Sequence, residues 1–163
     1  MSVTIFLGSD SDFEIIKEGL DIFKEFGVPF NLEVTSAHRT PDRTTKLIRE
    51  AEKGGTKVFL AVAGKAAHLP GVVASQTILP VIGVPVESQA LAGLDALLSM
   101  VQMPKGIPVA TVALGKAGGA NAALLAISIL ALSDGELKEK LVSYRQKMAE
   151  KVEESSRRLK EKI

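Results

Sequence analysis

Apolar runs alternate along the chain with segments in which apolar residues recur every three or four positions. The runs predict five buried strands, over 3–8, 29–36, 57–64, 80–86 and 107–115. The periodic segments predict helices over 11–26, 40–53, 70–77, 88–103 and 118–133. Strands and helices that alternate with short loops predict a parallel sheet with helices on both faces. We therefore expect one three-layer, doubly wound α/β domain of flavodoxin-like or Rossmann-like type over residues 1–133.

The ends of the predicted helices carry start and stop signals. Ser11, with Glu14 three residues later, predicts a capping box at the start of the first helix, and Gly27 predicts its end. Thr40 before Pro41 predicts an N-cap for the second helix, which the glycines at 54–55 should end.

The last thirty residues, 134–163, differ from the rest because they are rich in charge. Their apolar residues are spaced as on one face of an amphipathic helix of up to ~28 residues, about 42 Å long. A helix of that length predicts an arm that packs on a neighbouring subunit, and a solvated helix on its own domain is the alternative. The stripe consists of Leu137, Leu141, Tyr144, Met148, Val152 and Leu159.

Composition narrows the class of protein. The 163 residues are 46% hydrophobic, enough for a real core, and the net charge of +1 with 4% aromatic residues argues against a nucleic-acid partner. The absence of cysteine excludes disulfides and thiolate chemistry. No apolar run is long enough to span a membrane, and the first residues do not resemble a signal peptide. We expect a soluble cytoplasmic protein.

Polar loops follow the first three predicted strands, where ligands bind in open α/β sheets. They are "GSDSD" from Gly8, "SAHRTPD" from Ser36 and "GKAAHLPG" from Gly64, and they contain both histidines of the chain. The first opens a helix, a position that favours an anion. We therefore expect a binding site at this edge of the sheet.

The residue types in these loops indicate their chemistry. Arg39 is a residue type that binds phosphate or carboxylate in a bidentate manner, and His38 can exchange a proton near neutral pH. Ser9 and Ser11 add hydroxyl donors, and Asp10 or Asp12 suits sugar hydroxyls. Two separated histidines without cysteine make a metal site improbable.

Two other classes of protein share the fold. A receiver domain needs a phosphorylatable aspartate at the end of the third strand, where this chain has "AGKAAH", although Lys116 follows the fifth strand. A flavodoxin-like electron carrier needs a Thr/Ser-rich phosphate loop and aromatic residues over the flavin, and these are missing. Both interpretations are rejected.

Long motifs resemble one enzyme family across most of the chain. "GSDSD", "SAHRTPDR", "AAHLPG", "LPVIGVPV" and "LLSMVQMPKGIPVATVALG" occur in this order between about Gly8 and Leu132. They resemble the N5-carboxyaminoimidazole ribonucleotide mutases of purine (IMP) biosynthesis, the class I PurE family of phosphoribosylaminoimidazole carboxylase catalytic subunits. The resemblance implies an isomerase that uses no metal and no organic cofactor.

The resemblance also implies a mechanism and a set of site residues. The substrate loses CO2 in the pocket, the ring carbon attacks the trapped CO2, and a histidine, here His38, moves the proton. The substrate-binding residues implied by the motifs and their loops are Gly8, Ser9, Ser11, Asp12, Ser36, Ala37, Arg39, Gly64, Lys65, Ala66, Ala67, His68 and Leu69.

One position departs from the family pattern. The bacterial mutases usually have "GGAAHLPG", whereas this chain has Lys65 after Gly64. A related branch carboxylates aminoimidazole ribonucleotide directly with CO2 and diverges in this loop, so that reaction is the alternative. The resemblance further implies a homo-octamer whose C-terminal helices embrace neighbours. Functional pairing with a separate ATP-dependent carboxylate synthetase is a further expectation.

Overall fold

Five parallel strands form a sheet in the order β2-β1-β3-β4-β5. The computed structural model describes residues 2–163. The strands are β1 (Ser2–Leu7), β2 (Phe30–Val34), β3 (Thr56–Gly64), β4 (Val81–Val86) and β5 (Ala110–Thr111). The helices are α1 (Phe13–Phe26), α2 (Pro41–Lys53), α3 (Leu69–Ala74), α4 (Leu94–Val101), α5 (Gly115–Leu130) and α6 (Gly135–Lys160). The predicted doubly wound α/β class is confirmed.

The central strand β3 is buried on both faces, as its uninterrupted apolar sequence predicts. On one face Phe59 stacks on Phe6 of β1, with ring centroids 5.7 Å apart, and this core continues to Ile48 of α2 and Met100 of α4. Successive side chains of a strand point to opposite faces. Leu60 of β3 is therefore directed to the other layer.

Helix α1 and the start of α5 pack together backbone against backbone. A Cβ atom on Gly119 would lie 2.0 Å from the carbonyl oxygen of Ile15, and one on Gly19 would lie 2.6 Å from the carbonyl oxygen of Gly119. Only glycine permits so close an approach. The small residues of "GKAGGANAA" therefore set the distance between these two helices.

The start of α1 differs from the predicted capping box. A 3-10 turn, Asp10–Asp12, precedes α1, and Ser9 is the N-cap of that turn: its hydroxyl accepts from the Ser11 amide while the Asp12 carboxylate accepts from the Ser9 amide. The N-cap of α1 itself is Asp12, whose side chain does not cap the helix. The prediction of Ser11 with Glu14 was wrong because a similar pattern two residues earlier takes the amides of the turn. Gly27 ends α1 in a left-handed conformation with φ of 72°, as predicted.

Two other elements are shorter than predicted. Helix α4 begins at Leu94 rather than at 88, because Ala92 and Gly93 both have positive φ. Strand β5 contributes only Ala110 and Thr111, which pair with Ile82 and Gly83 of β4 at the edge of the sheet. Because an edge strand has a neighbouring strand on one side only, a short paired segment is enough to complete the sheet.

The described residues form two compact units, one that extends to Ala126 and one from Ile127 to Ile163. The second unit contains the end of α5 and the 26-residue helix α6, about 39 Å long. The Asp134 carboxylate caps α6 by accepting from the Leu137 amide. In residues 2–163 no helix is both long and apolar enough to cross a membrane.

Candidate active site

A cavity of about 1100 Å³ lies at the carboxyl ends of the first four strands. The edge on which it lies is the one that parallel α/β sheets use for ligands. Most of the predicted site residues line it, namely Gly8, Ser9, Ser11, Asp12, Ser36, Ala37, His38, Arg39, Gly64, Lys65, Ala66, His68 and Leu69. The exception is Ala67, which is 1% exposed and packs in the hydrophobic core instead.

The loop after β2 is held by hydrogen bonds from its own side chains. The Thr40 hydroxyl donates to the Ser36 carbonyl oxygen and accepts from the Ser36 amide, at 3.2 and 3.0 Å. Thr40 does occupy the N-cap position of α2, but its hydroxyl closes this loop rather than capping the helix. The loop therefore presents His38 and Arg39 from a closed turn.

The guanidinium of Arg39 joins the first two loops. Its Nη2 donates to the Gly8 carbonyl oxygen at 3.1 Å, and its Nε donates to the Ser36 hydroxyl at 3.3 Å. A guanidinium has five N–H donors, so three remain for a ligand. Arg39 is thus oriented at the mouth of the cavity with donors to spare.

The two histidines of the chain are hydrogen-bonded to each other. His38 Nε2 lies 2.7 Å from His68 Nδ1, and the rings are nearly perpendicular, at 83°. Only one of the two nitrogens can hold the hydrogen between them, because two N–H groups cannot face each other at this distance. The pair can therefore carry a proton on one ring while the other ring accepts from it.

The turn after β1 places a carboxylate in the same cavity. Asp12 is 7% exposed, and burial raises the pKa of its carboxyl above the ordinary value, although the hydrogen bond from the Ser9 amide opposes the shift. The hydroxyls of Ser9 and Ser11 are 2.9 Å apart beside it. A buried carboxylate next to two hydroxyls suits a ligand with hydroxyl groups.

Packing of buried side chains holds the loop after β3, and the hydrogen bond of His68 to His38 joins it to the loop after β2. Ala67 and Leu69 are buried in the core, whereas Lys65, Ala66 and His68 are exposed in the cavity. Lys65 has a φ of 56°, in the left-handed region that residues other than glycine rarely adopt. The loop therefore turns sharply at Lys65 before entering α3.

A fourth loop, after β4, was not predicted to belong to the site. Glu87, Ser88 and Asp95 line the cavity, and the Ser88 hydroxyl donates to the Asp95 carboxylate at 3.3 Å. The remaining unpredicted lining residues are Ala63, Val86, Gln89 and Ala90. The signal was present, because "GVPVES" also ends a buried strand at the same edge of the sheet.

Comparison with known proteins identifies the family of this chain. The sequence profile described as AIR carboxylase matches residues 2–151. The chain belongs to the AIR carboxylase family. The match spans all four loops of the cavity, so the family prediction made from the motifs is confirmed.

Relatives within the AIR carboxylase family cover nearly the whole chain. The N5-carboxyaminoimidazole ribonucleotide mutase of Pyrococcus horikoshii is 56% identical over 98% of this chain and 89% of the relative. The mutase of Escherichia coli is 51% identical over 94% of this chain and 90% of the relative. The crystal structure of Treponema denticola PurE superposes with a TM-score of 0.88 at 32% identity, covering 96% of this chain and 97% of that one.

Proposed function

We propose that this protein interconverts N5-carboxyaminoimidazole ribonucleotide and 4-carboxyaminoimidazole ribonucleotide in purine biosynthesis. The observation that carries the proposal is the pairing of His38 with His68 beside Arg39 in one cavity. The mutase names of the AIR carboxylase family relatives, at 51% and 56% identity, support this reaction over direct carboxylation of aminoimidazole ribonucleotide.

The proton transfers fall to His38 in this proposal. When the bond between the exocyclic nitrogen and the carboxylate breaks, CO2 leaves and the nitrogen takes a proton from the imidazolium. The ring carbon then forms a bond to CO2 and gives its proton back to the imidazole, so the enzyme ends as it began. His68, 2.7 Å from His38 Nε2, supports the charged ring by accepting from it.

The remaining polar groups of the cavity suit a ribonucleotide. The free donors of Arg39, with the hydroxyls of Ser9 and Ser11, match a 5′-phosphate, and the Asp12 carboxylate matches ribose hydroxyls. The small residues Ala37 and Ala66 leave room for the imidazole and CO2 beside the histidines. The polar residues of the first two loops that have no substrate contact in this proposal are those whose side chains shape the turns.

The deciding experiment supplies the purified protein with either of two substrates. N5-carboxyaminoimidazole ribonucleotide is expected to give 4-carboxyaminoimidazole ribonucleotide without added bicarbonate. Aminoimidazole ribonucleotide with bicarbonate is the comparison, and product from this mixture alone would contradict the mutase assignment. Product formation is measured by absorbance of the carboxylated imidazole, with protein lacking the His38 imidazole as the blank.

We also propose that α6 is an arm that packs on a neighbouring subunit of a homo-oligomer, with an octamer as the expected size. In support, apolar residues of α6 are 52% to 71% exposed, which a helix with no partner would not favour. They are Val142, Met148, Val152 and Leu159. Pairing with a separate ATP-dependent carboxylate synthetase and a cytoplasmic location belong to the same proposal.

Removing the apolar side chains from α6 tests the arm. The double variant Met148→Glu, Val152→Glu is expected to lower the assembly mass in light scattering, because charge on the stripe opposes its burial. Because both positions are exposed on the helix, folding of the single chain should be retained. Lys151→Glu is the control on α6, and an unchanged mass for the double variant would contradict the proposal.

A further inference from the structure

Lys65 combines an unfavourable backbone conformation with a place in the substrate cavity. Its φ of 56° lies in the left-handed region, and the exposed Ala92 is the other non-glycine residue in residues 2–163 with positive φ. The conformation is unfavourable for a lysine, and glycine would adopt it freely. Strained residues persist most often where they serve a site.

The ammonium group of Lys65 is uncommitted. Within residues 2–163 no hydrogen bond or ion pair involves it, and its side chain is exposed where the cavity is lined by His38 and His68. The other cation that lines the cavity, Arg39, is already tied to Gly8 and Ser36 by two hydrogen bonds. Arg39 is therefore fixed in place with three donors left for a ligand, whereas the Lys65 ammonium is free to move with one.

The charges of the cavity favour a second fixed cation for a ligand with two anionic groups. Three carboxylates line it, Asp12, Glu87 and Asp95, against the cations Arg39 and Lys65. A substrate of the proposed reaction brings a phosphate and a carboxylate, both negative. With Arg39 on the phosphate and the His38 imidazolium engaged in proton transfer, Lys65 is the cation left to offset the repulsion between the substrate carboxylate and these acidic side chains.

We infer that Lys65 binds the migrating carboxylate of the substrate and makes the site prefer carboxylated over non-carboxylated ribonucleotides. The inference rests on the proposed function for the identity of the ligand. An ammonium on a flexible stem suits a group that moves between a nitrogen and a carbon, because it can follow the carboxylate through both positions. The strained turn at Lys65 starts that stem at the rim of the cavity.

Equilibrium binding of two ligands tests the inference independently of turnover. One ligand is 4-carboxyaminoimidazole ribonucleotide, and the other is aminoimidazole ribonucleotide, which has the phosphate but no carboxylate. For Lys65→Gln we expect the dissociation constant of the first to rise about tenfold or more and that of the second to change less than twofold. Lys65→Arg, which keeps the charge, should stay within about threefold of the unaltered protein.

Two further variants separate charge from backbone effects. Lys57→Gln is the matched control, since Lys57 is an exposed lysine at the opposite end of the same strand, and its binding of both ligands should be unchanged. Lys65→Gly should lose the carboxylate preference as Lys65→Gln does. It should also raise the midpoint of thermal unfolding by about 2 °C, because the left-handed strain is relieved.

Two outcomes would overturn the inference. Equal weakening of both ligands in Lys65→Gln would place the ammonium on the phosphate, and unchanged binding of both would place it in solvent. Failure of the proposed function is distinguishable from either, because it would leave the unaltered protein without turnover while the binding ratio could still be measured.

Discussion

The two loops that carry the histidines are built in different ways. Polar contacts close the loop that carries His38. The Thr40 hydroxyl accepts from the Ser36 amide and donates to the Ser36 carbonyl oxygen, and Arg39 donates to the Gly8 carbonyl oxygen. The loop with His68 is held by burial, since Ala67 is 1% and Leu69 is 3% exposed. The two histidines meet at 2.7 Å although they are 30 residues apart.

The difference shows that one edge of the sheet carries both a loop that orients functional side chains and a loop that stabilises the core. The polar loop orients the groups that contact the substrate, and its hydrogen bonds lie at the exposed rim, where their loss costs little folding energy. The apolar loop contributes to the core, so changes to it affect stability first. We therefore expect substitutions in the first loop to reduce activity and substitutions in the buried part of the second to reduce stability.

The largest effect is expected for the proton carrier in the polar loop. His38→Asn should lower kcat by about 1000-fold with the fold intact, because proton transfer by a positioned side chain contributes ~10²–10⁴-fold. His68→Asn removes only the partner of that ring and should cost about tenfold. Steady-state kinetics with circular dichroism measures both, and equal losses in the two variants would contradict the assignment of His38 as the carrier.

A smaller loss of activity is expected for the arginine of the same loop. Arg39→Gln should lower kcat/KM by ~10–150-fold, which corresponds to hydrogen bonds to a charged group worth about 1.5–3 kcal/mol. The matched control is Arg43→Gln, since Arg43 of α2 forms an ion pair with Glu33 of β2 at 2.8 Å and does not line the cavity. A loss as large in the control would show that general charge, rather than position, is responsible.

In the apolar loop the expected effect is on stability. Ala67→Leu should lower the free energy of unfolding by about 1–3 kcal/mol, because a larger side chain overpacks a full core. Its neighbour Ala66 is exposed in the cavity, so Ala66→Leu should leave the unfolding midpoint nearly unchanged and raise KM instead. Denaturant unfolding and steady-state kinetics are measured on both variants. The same change in stability and in KM for both would contradict the predicted difference between the buried and the exposed alanine.

Most of the candidate site could be predicted because strand ends are visible in sequence. "VTIFLG", "EVTSAHR" and "FLAVAG" each end an apolar run with polar or small residues, and parallel topology brings such ends to one edge. The burial of Ala67 was not predicted, because sequence cannot tell which of two adjacent alanines faces the core. The loop after β4 was missed because its Glu87 and Ser88 belong to no motif that indicates chemistry.

The start of α1 and the length of α4 depended on competition that sequence does not resolve. Ser9 and Ser11 each begin a capping-box pattern, and the structure uses Ser9 because the 3-10 turn then places Asp12 within reach of the Ser9 amide. The helical period over 88–103 is real, yet the positive φ values of Ala92 and Gly93 delay α4 to Leu94. In both places the local sequence pattern was compatible with more than one helix start, and the folded chain uses one of them.

Periodicity and long motifs were enough to predict the order of strands and helices, the class of fold, the family and most residues that line the cavity. The hydrogen bond between His38 and His68, the bridge that Arg39 makes between two loops, and the strained, unpaired Lys65 emerge only in the folded chain. They could not be predicted because periodicity reports burial along one element. Distances between side chains on different strands depend on the register and twist of the sheet that holds them.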